Sequence, residues 1–155
     1  MHALRDILTP ERTVCRAPGA SKKRVFETIA RIVCNSDSSL SYDTVLDKLV
    51  AREELGSTAL GGGIAIPHCR VSHCEVPLGT MLTLEQGIAF DAPDDQPVDL
   101  LFVLLVPEEA HQAHLDILAE VATRFSQADY CSSLREARDD AALFNAALQT
   151  REQGS

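Results

Sequence analysis

Positive charge is in short supply. The chain carries 14 Lys and Arg against 23 Asp and Glu, a formal net charge of −9. Nucleic-acid binding needs basic patches that displace condensed counterions, so that class is excluded, and an acidic membrane surface is equally unattractive. A basic protein partner would be steered toward such a chain. Long apolar runs are also missing. The longest, residues 100–106, falls well short of the roughly 20 residues that span a bilayer, and residues 1–6 hold no apolar signal region. Together these predict a cytoplasmic protein with no membrane insertion. Cysteines are few and odd in number (Cys15, Cys34, Cys69, Cys74 and Cys131), with no Cys-x-x-Cys. They read as reduced thiols, not a disulfide framework. Nucleotide-binding glycine patterns are absent as well. The triplet Gly61-Gly62-Gly63 is not followed by the Lys-Ser/Thr of a phosphate-binding loop, and no Gly-x-Gly-x-x-Gly occurs.

What is present fits one domain, residues 1–155, with an ordered core over about 4–148. Apolar residues make up 45% of the chain, enough for a real core at this length. Residues 4–11 read as a short leading segment stopped by Pro10, and 13–16 as β-like up to the Pro18-Gly19 turn. Ser21 is placed to N-cap a helix through 35, with Val25, Ile29, Ile32 and Val33 on one stripe. A second helix starts near Ser41, turns Val45, Leu46, Leu49 and Val50 inward, and closes near Leu55 with Gly56 beyond. Residues 70–77 read as irregular, 79–84 as a strand, 87–90 as another short strand, and 91–97 as turns. The apolar run between Pro97 and Pro107 predicts a central strand over 99–106, covered on both faces. A third helix is expected over 108–126, with Leu115, Leu118, Ala122 and Phe125 inward. A short segment over 131–137 and a last helix over 139–149 complete the chain. The class is therefore α/β, a mixed β-sheet flanked by helices on both faces.

The chain is organised around residues 52–70. A charged segment passes through three glycines into Ile64-Ala65-Ile66 and ends on Pro67-His68. Consecutive glycines are costly to order, so they mark a sharp turn or a close approach. Pro67 fixes the exit angle, and one imidazole is presented at the end of a stiff element. Glu53, Leu60, Gly61, Ile64, Ala65, Ile66, Pro67, His68 and Cys69 fill every place of a known pattern. With them, the stretch resembles the active-site segment of phosphotransferase-system IIA proteins of the fructose/mannitol type. Residues 4–11, the helix start at 21–27, and 90–94 followed by 98–107 are similar to the nitrogen-regulatory branch of that family.

The resemblance implies that His68 carries a phosphoryl group. Histidine suits this as a neutral nucleophile near pH 7 and a good leaving group afterwards. Without the pattern, a satisfied histidine after a strand would be an equal reading. His114, just beyond the central strand, is implied to orient His68 or bind the phosphoryl oxygens; His111 shares its helix face, and both also read as helix-start surface residues. Arg52 is implied to stabilise the phosphoryl group, although a cation in a helix's last turn also complements the macrodipole. Ser57 and Thr58 offer hydroxyl donors or serve as turn residues, and Gly62 and Gly63 offer unhindered N–H groups to an anion. Gly63 and the Cys69/Cys74 pair are minor departures from relatives that would alter partner approach or make the site oxidation-sensitive. A rival reading is zinc, held by His68, Cys69, His73 and Cys74 with His111 or His114, though the spacing matches no common zinc pattern.

The implied function is a regulatory phosphocarrier that needs no cofactor or metal. Its donor would be an HPr-like phosphocarrier, and its phosphorylation state would control target proteins such as kinases or potassium transporters. With no permease or second carrier domain in the chain, this suits better than a sugar-specific IIA component. A binding module without phosphotransfer is the other alternative.

Overall fold

The computed structural model describes residues 4–109 and 113–149. In chain order its elements are α1 (Leu4–Ile7), β1 (Leu8–Ala17), α2 (Lys22–Ser36), α3 (Tyr42–Glu54), β2 (Ala59–Gly61), β3 (Ile64–Ala65), β4 (His68–Val71), β5 (Leu78–Ile88), β6 (Val98–Pro107), α4 (Ala113–Phe125), α5 (Ala128–Glu136) and α6 (Asp140–Leu148). The sheet runs β1-β5-β6-β3-β2, and β4 also pairs with β6. It is mixed: β5 is antiparallel to β6, while β1 is parallel to β5, and both β3 and β4 are parallel to β6.

The predicted central strand is β6, and its alternation from Leu100 onward divides the molecule. Val98, Leu101, Val103 and Leu105 join a core with Val25, Phe26 and Ile29 of α2 and Val45 and Leu49 of α3. Leu100, Phe102, Leu104 and Val106 point the other way, to Leu4, Ile117 and Val121 of α4, Leu134 of α5 and Leu143 of α6. Full burial of each such side chain contributes about 1.5–3 kcal/mol of transfer free energy, so a strand buried on both faces anchors the fold. The expected sheet between helical layers is what forms. Local signals placed two helix starts correctly: the hydroxyls of Ser21 and Ser41 accept the N–H groups of Arg24 and Thr44.

Several boundaries differ from the expectation. The leading segment does not stop at Pro10. It continues as β1, because a register shift between Leu8 and Thr13 absorbs the missing donor at the sheet's edge. Arg12, nearly buried, stitches this irregularity by donating to the carbonyls of Gly79 (3.0 Å) and Ile7 (2.7 Å). Residues 79–84 and 87–90 are not two strands; β5 is continuous through Ile88, with a shift after Thr83. Residues 70–77 are not wholly irregular either, since β4 runs to Val71. Glu108 and Glu109 form a turn, and α4 is described from Ala113. Its buried stripe is Ile117, Val121 and Phe125, whereas Leu115 is half exposed and Ala122 faces out. An apolar residue on either side of the stripe satisfies the same spacing, so periodicity alone left the face one residue off.

Candidate functional site

β3 and β4 lie end to end along one edge of β6, Ile64 opposite Leu100 and His68 opposite Leu104. Ile66 and Pro67 separate them, and the Pro67 carbonyl accepts the Leu104 N–H at 2.9 Å, which holds the break against β6. His68 is therefore the first residue of β4, not the free tip of an element. Its Nδ1 lies 2.8 Å from the Ile66 carbonyl. A carbonyl can only accept, so in the neutral imidazole Nδ1 carries the proton and Nε2 has the lone pair. Among the described residues nothing bonds Nε2.

The backbone bearing the imidazole is held from α3. Glu53, in that helix's last turn, is buried, and its carboxylate accepts the Thr58 hydroxyl (2.8 Å), the Thr58 N–H (3.2 Å) and the Lys22 ammonium (2.9 Å). The Thr58 carbonyl then accepts the Ile66 N–H at 3.0 Å, and Ile66 is the residue that holds the imidazole. Ser57 donates its hydroxyl to the Phe90 carbonyl at 2.7 Å. Burial works against the charge on Lys22, but its bonds to Glu53 and Asp91 outweigh that and hold its pKa above the ordinary value. Glu53 was visible only as a place in the family pattern. Its five-residue spacing to a threonine across a turn was the available signal for this bond set.

The glycine turn is likewise bound internally. Gly61, Gly62 and Gly63 all have positive φ (98°, 68° and 82°), which only glycine adopts without strain over three residues. Gly62 donates its N–H to Asp94 (2.9 Å) and accepts from Arg135 (2.8 Å). The Gly63 carbonyl accepts the N–H groups of Asp99 and Leu100. A Cβ on Gly63 would stand 2.7 Å from the Arg135 guanidinium, which itself grips Asp99 with paired bonds.

His68 and Arg52 are brought together. Both line a cleft of about 430 Å³ between the end of α3 and β4, with Lys48, Leu55, Cys69 and Arg70, over Leu104 and Val106. Arg52 donates from Nη1 to the Gly56 carbonyl at 2.9 Å; no described residue engages its other guanidinium nitrogens. Ser57, Thr58, Gly62 and Gly63 do not line this cleft, and the donors described for Ser57, Thr58 and Gly62 are spent on Phe90, Glu53 and Asp94. His111 and the side chain of His114 lie outside the described residues. Lys48 and Arg70, which no motif singled out, complete the wall.

The cysteines nearby are subdued. Burial pushes the Cys69 thiol up to about 12, against the pull of Lys48 and Arg52, and burial likewise pushes Cys74 up to about 11. Thiols raised this far are mostly protonated, and so less nucleophilic, at neutral pH. Among the described residues no three His, Cys, Asp or Glu side chains stand close enough to share a metal ion. Nor is any helix among them long and apolar enough to cross a membrane.

A mixed sheet between helical layers, with a proline-led histidine facing an arginine in an edge cleft, defines a recognisable class of protein. The model of the phosphoenolpyruvate-dependent sugar phosphotransferase system EIIA 2 family matches residues 6–149, and the chain belongs to that family. A nitrogen regulatory protein of Pseudomonas aeruginosa is 49% identical over 144 residues, covering 93% of this chain and 94% of the relative. One from Escherichia coli is 40% identical over 148 residues, covering 95% and 90%. The crystal structure of nitrogen regulatory protein IIA-Ntr from Neisseria meningitidis superposes with a TM-score of 0.82 at 38% identity, over 92% of this chain and 97% of that one. The mannitol IIA of E. coli, at 14% identity and a TM-score of 0.71 over 90% and 97%, shares the fold.

Proposed function

We propose that this chain is a regulatory phosphocarrier of a nitrogen-type phosphotransferase system, acting in the cytoplasm. Nε2 of His68 accepts a phosphoryl group from the phosphohistidine of an HPr-like protein. The observation that carries the reading is the bond from His68 Nδ1 to the Ile66 carbonyl, in a cleft shared with Arg52. It fixes the tautomer that leaves Nε2 nucleophilic and holds the ring in one orientation before the donor arrives. The Nε2–P bond forms as the donor's P–N bond breaks, and that bonding pair returns to the donor's ring. The carbonyl of Ile66 stays hydrogen-bonded to Nδ1–H as positive charge builds on the ring.

Arg52 meets the transferred oxygens with the donors that Gly56 leaves free. His114, from the second position of α4, orients the acceptor or the phosphoryl oxygens in this scheme. Ser57, Thr58, Gly62 and Gly63 act indirectly, by fixing the loop that carries Ile66. Once formed, the phosphohistidine adds about −1.5 to −2 charges to a cleft lined by Lys48, Arg52 and Arg70, so targets that prefer the unphosphorylated surface are released. The similarity to proteins named nitrogen regulatory protein favours this regulatory role over sugar uptake. Incubation with phosphoenolpyruvate, enzyme I and the HPr-like carrier should add one acid-labile phosphoryl group, seen by mass. His68→Ala should add none; normal labelling of that variant rejects the proposal.

A further inference from the structure

The net charge of −9 steers basic partners toward the molecule as a whole, yet the mouth of the His68 cleft has the opposite sign. Lys48, Arg52 and Arg70 line it, and no acid does. Four cations elsewhere are paired with carboxylates: Lys22 with Glu53 and Asp91, Arg24 with Glu27, Arg124 with Glu120 and Arg135 with Asp99. The three around the cleft have no carboxylate partner among the described residues, and Lys48 and Arg70 are exposed. Leu55 stands beside them with 85% of its surface in solvent, on the C-terminal cap of α3. An exposed leucine flanked by unpaired cations is the anatomy of an interface: an apolar contact with a charged rim.

We infer that Lys48, Arg70 and Leu55 form a docking collar for a protein whose own active-site face is acidic around an apolar centre, and that this collar selects the phosphocarrier by rim charge. The inference rests on the phosphoacceptor reading of His68 but adds to it. One arginine suffices for the phosphoryl group, whereas Lys48 and Arg70 extend the positive field beyond the reacting atoms. Rim charges of this kind act mainly on the association rate and are screened by salt. The net acidity outside the collar then repels carriers in any other orientation, which sharpens the docking geometry.

Two donors separate docking from chemistry. The phosphorylated HPr-like carrier must dock; phosphoramidate, a small donor whose P–N bond breaks with loss of ammonia as Nε2–P forms, need not. The collar predicts that transfer from the carrier slows at least tenfold between 50 and 500 mM NaCl, an order-of-magnitude expectation for steered association. In Lys48→Glu/Arg70→Glu it should be at least about tenfold slower at low salt, with most of the salt dependence gone. Labelling by phosphoramidate should change several-fold less in the same variant. Leu55→Ser should slow the carrier reaction alone and leave its salt dependence intact. Equal loss with both donors assigns the cations to the chemistry and overturns the collar. An unchanged or faster carrier reaction in the charge-reversed variant overturns it too, the latter by revealing a basic partner face. If wild type takes label from phosphoramidate at His68, the phosphoacceptor reading stands whatever the collar result. If neither donor labels His68, that reading falls and the collar with it.

Discussion

Two arginines near the glycine turn and the histidine make an instructive pair. Arg135 is spent: its guanidinium grips Asp99 with paired bonds and donates to the Gly62 carbonyl, closing the turn from outside. Arg52 is nearly idle, with one bond to the Gly56 carbonyl and a cleft in front of it. The same side chain thus spends its donors on structure at the glycine turn and leaves most of them unused at the His68 cleft. Bonds already made stabilise the fold; donors left over are what an incoming anion can use.

The sharpest way to break this comparison is Arg52→Ala. Phosphoryl transfer to His68 should drop by about a hundredfold, the usual cost of removing one preorganised donor. Stability in urea should move by less than about 0.5 kcal/mol, as for most surface changes. A large loss of stability with intact transfer would reverse the roles assigned to the two arginines. Glu53→Ala comes next. It removes the acceptor for the Thr58 hydroxyl and N–H and for Lys22, and should cost about 2–3 kcal/mol by denaturant titration, since bonds to a charged group are lost and buried donors are left unmade. Transfer should also slow, because Thr58 is what Ile66 leans on.

Arg135→Ala should cost less, about 1 kcal/mol or below, because its pair with Asp99 is part-exposed and screened. Transfer should fall far less than in Arg52→Ala. A pH-dependent effect concerns the thiols. Burial raises the folded pKa of Cys69 and Cys74 above the free value near 9. The stabilisation is therefore fully present below about 9 and is lost as pH rises toward 12, because the unfolded chain sheds those protons first. Denaturant midpoints should fall through that window, less so in Cys69→Ala. Iodoacetamide at pH 8 should modify Cys69 much more slowly in the folded than in the unfolded protein.

The same contrast explains what could be read from the chain beforehand. Features set by neighbours in sequence were legible: the serine caps of α2 and α3, the two-faced apolar run of β6, and the proline-led His68. Features set across the fold were not. Pro10 forbids a ladder bond locally, but a bulge on an edge strand bridged by Arg12 accommodates it. Ser57, Thr58 and Gly62 looked like phosphoryl donors because their partners, Phe90, Glu53 and Asp94, lie across turns that the sequence does not display. Lys48 and Arg70 belong to no motif and became visible only when α3 packed beside β4. The inward face of α4 turned on which apolar residue met the sheet, a matter of tertiary packing.

The tautomer of His68 is the claim on which the rest depends, and a long-range 1H–15N spectrum of the phosphorylated protein tests it directly. The account predicts phosphorus coupling at Nε2 of His68, with Nδ1 still protonated. Phosphorus on Nδ1, or on any other histidine, would contradict it.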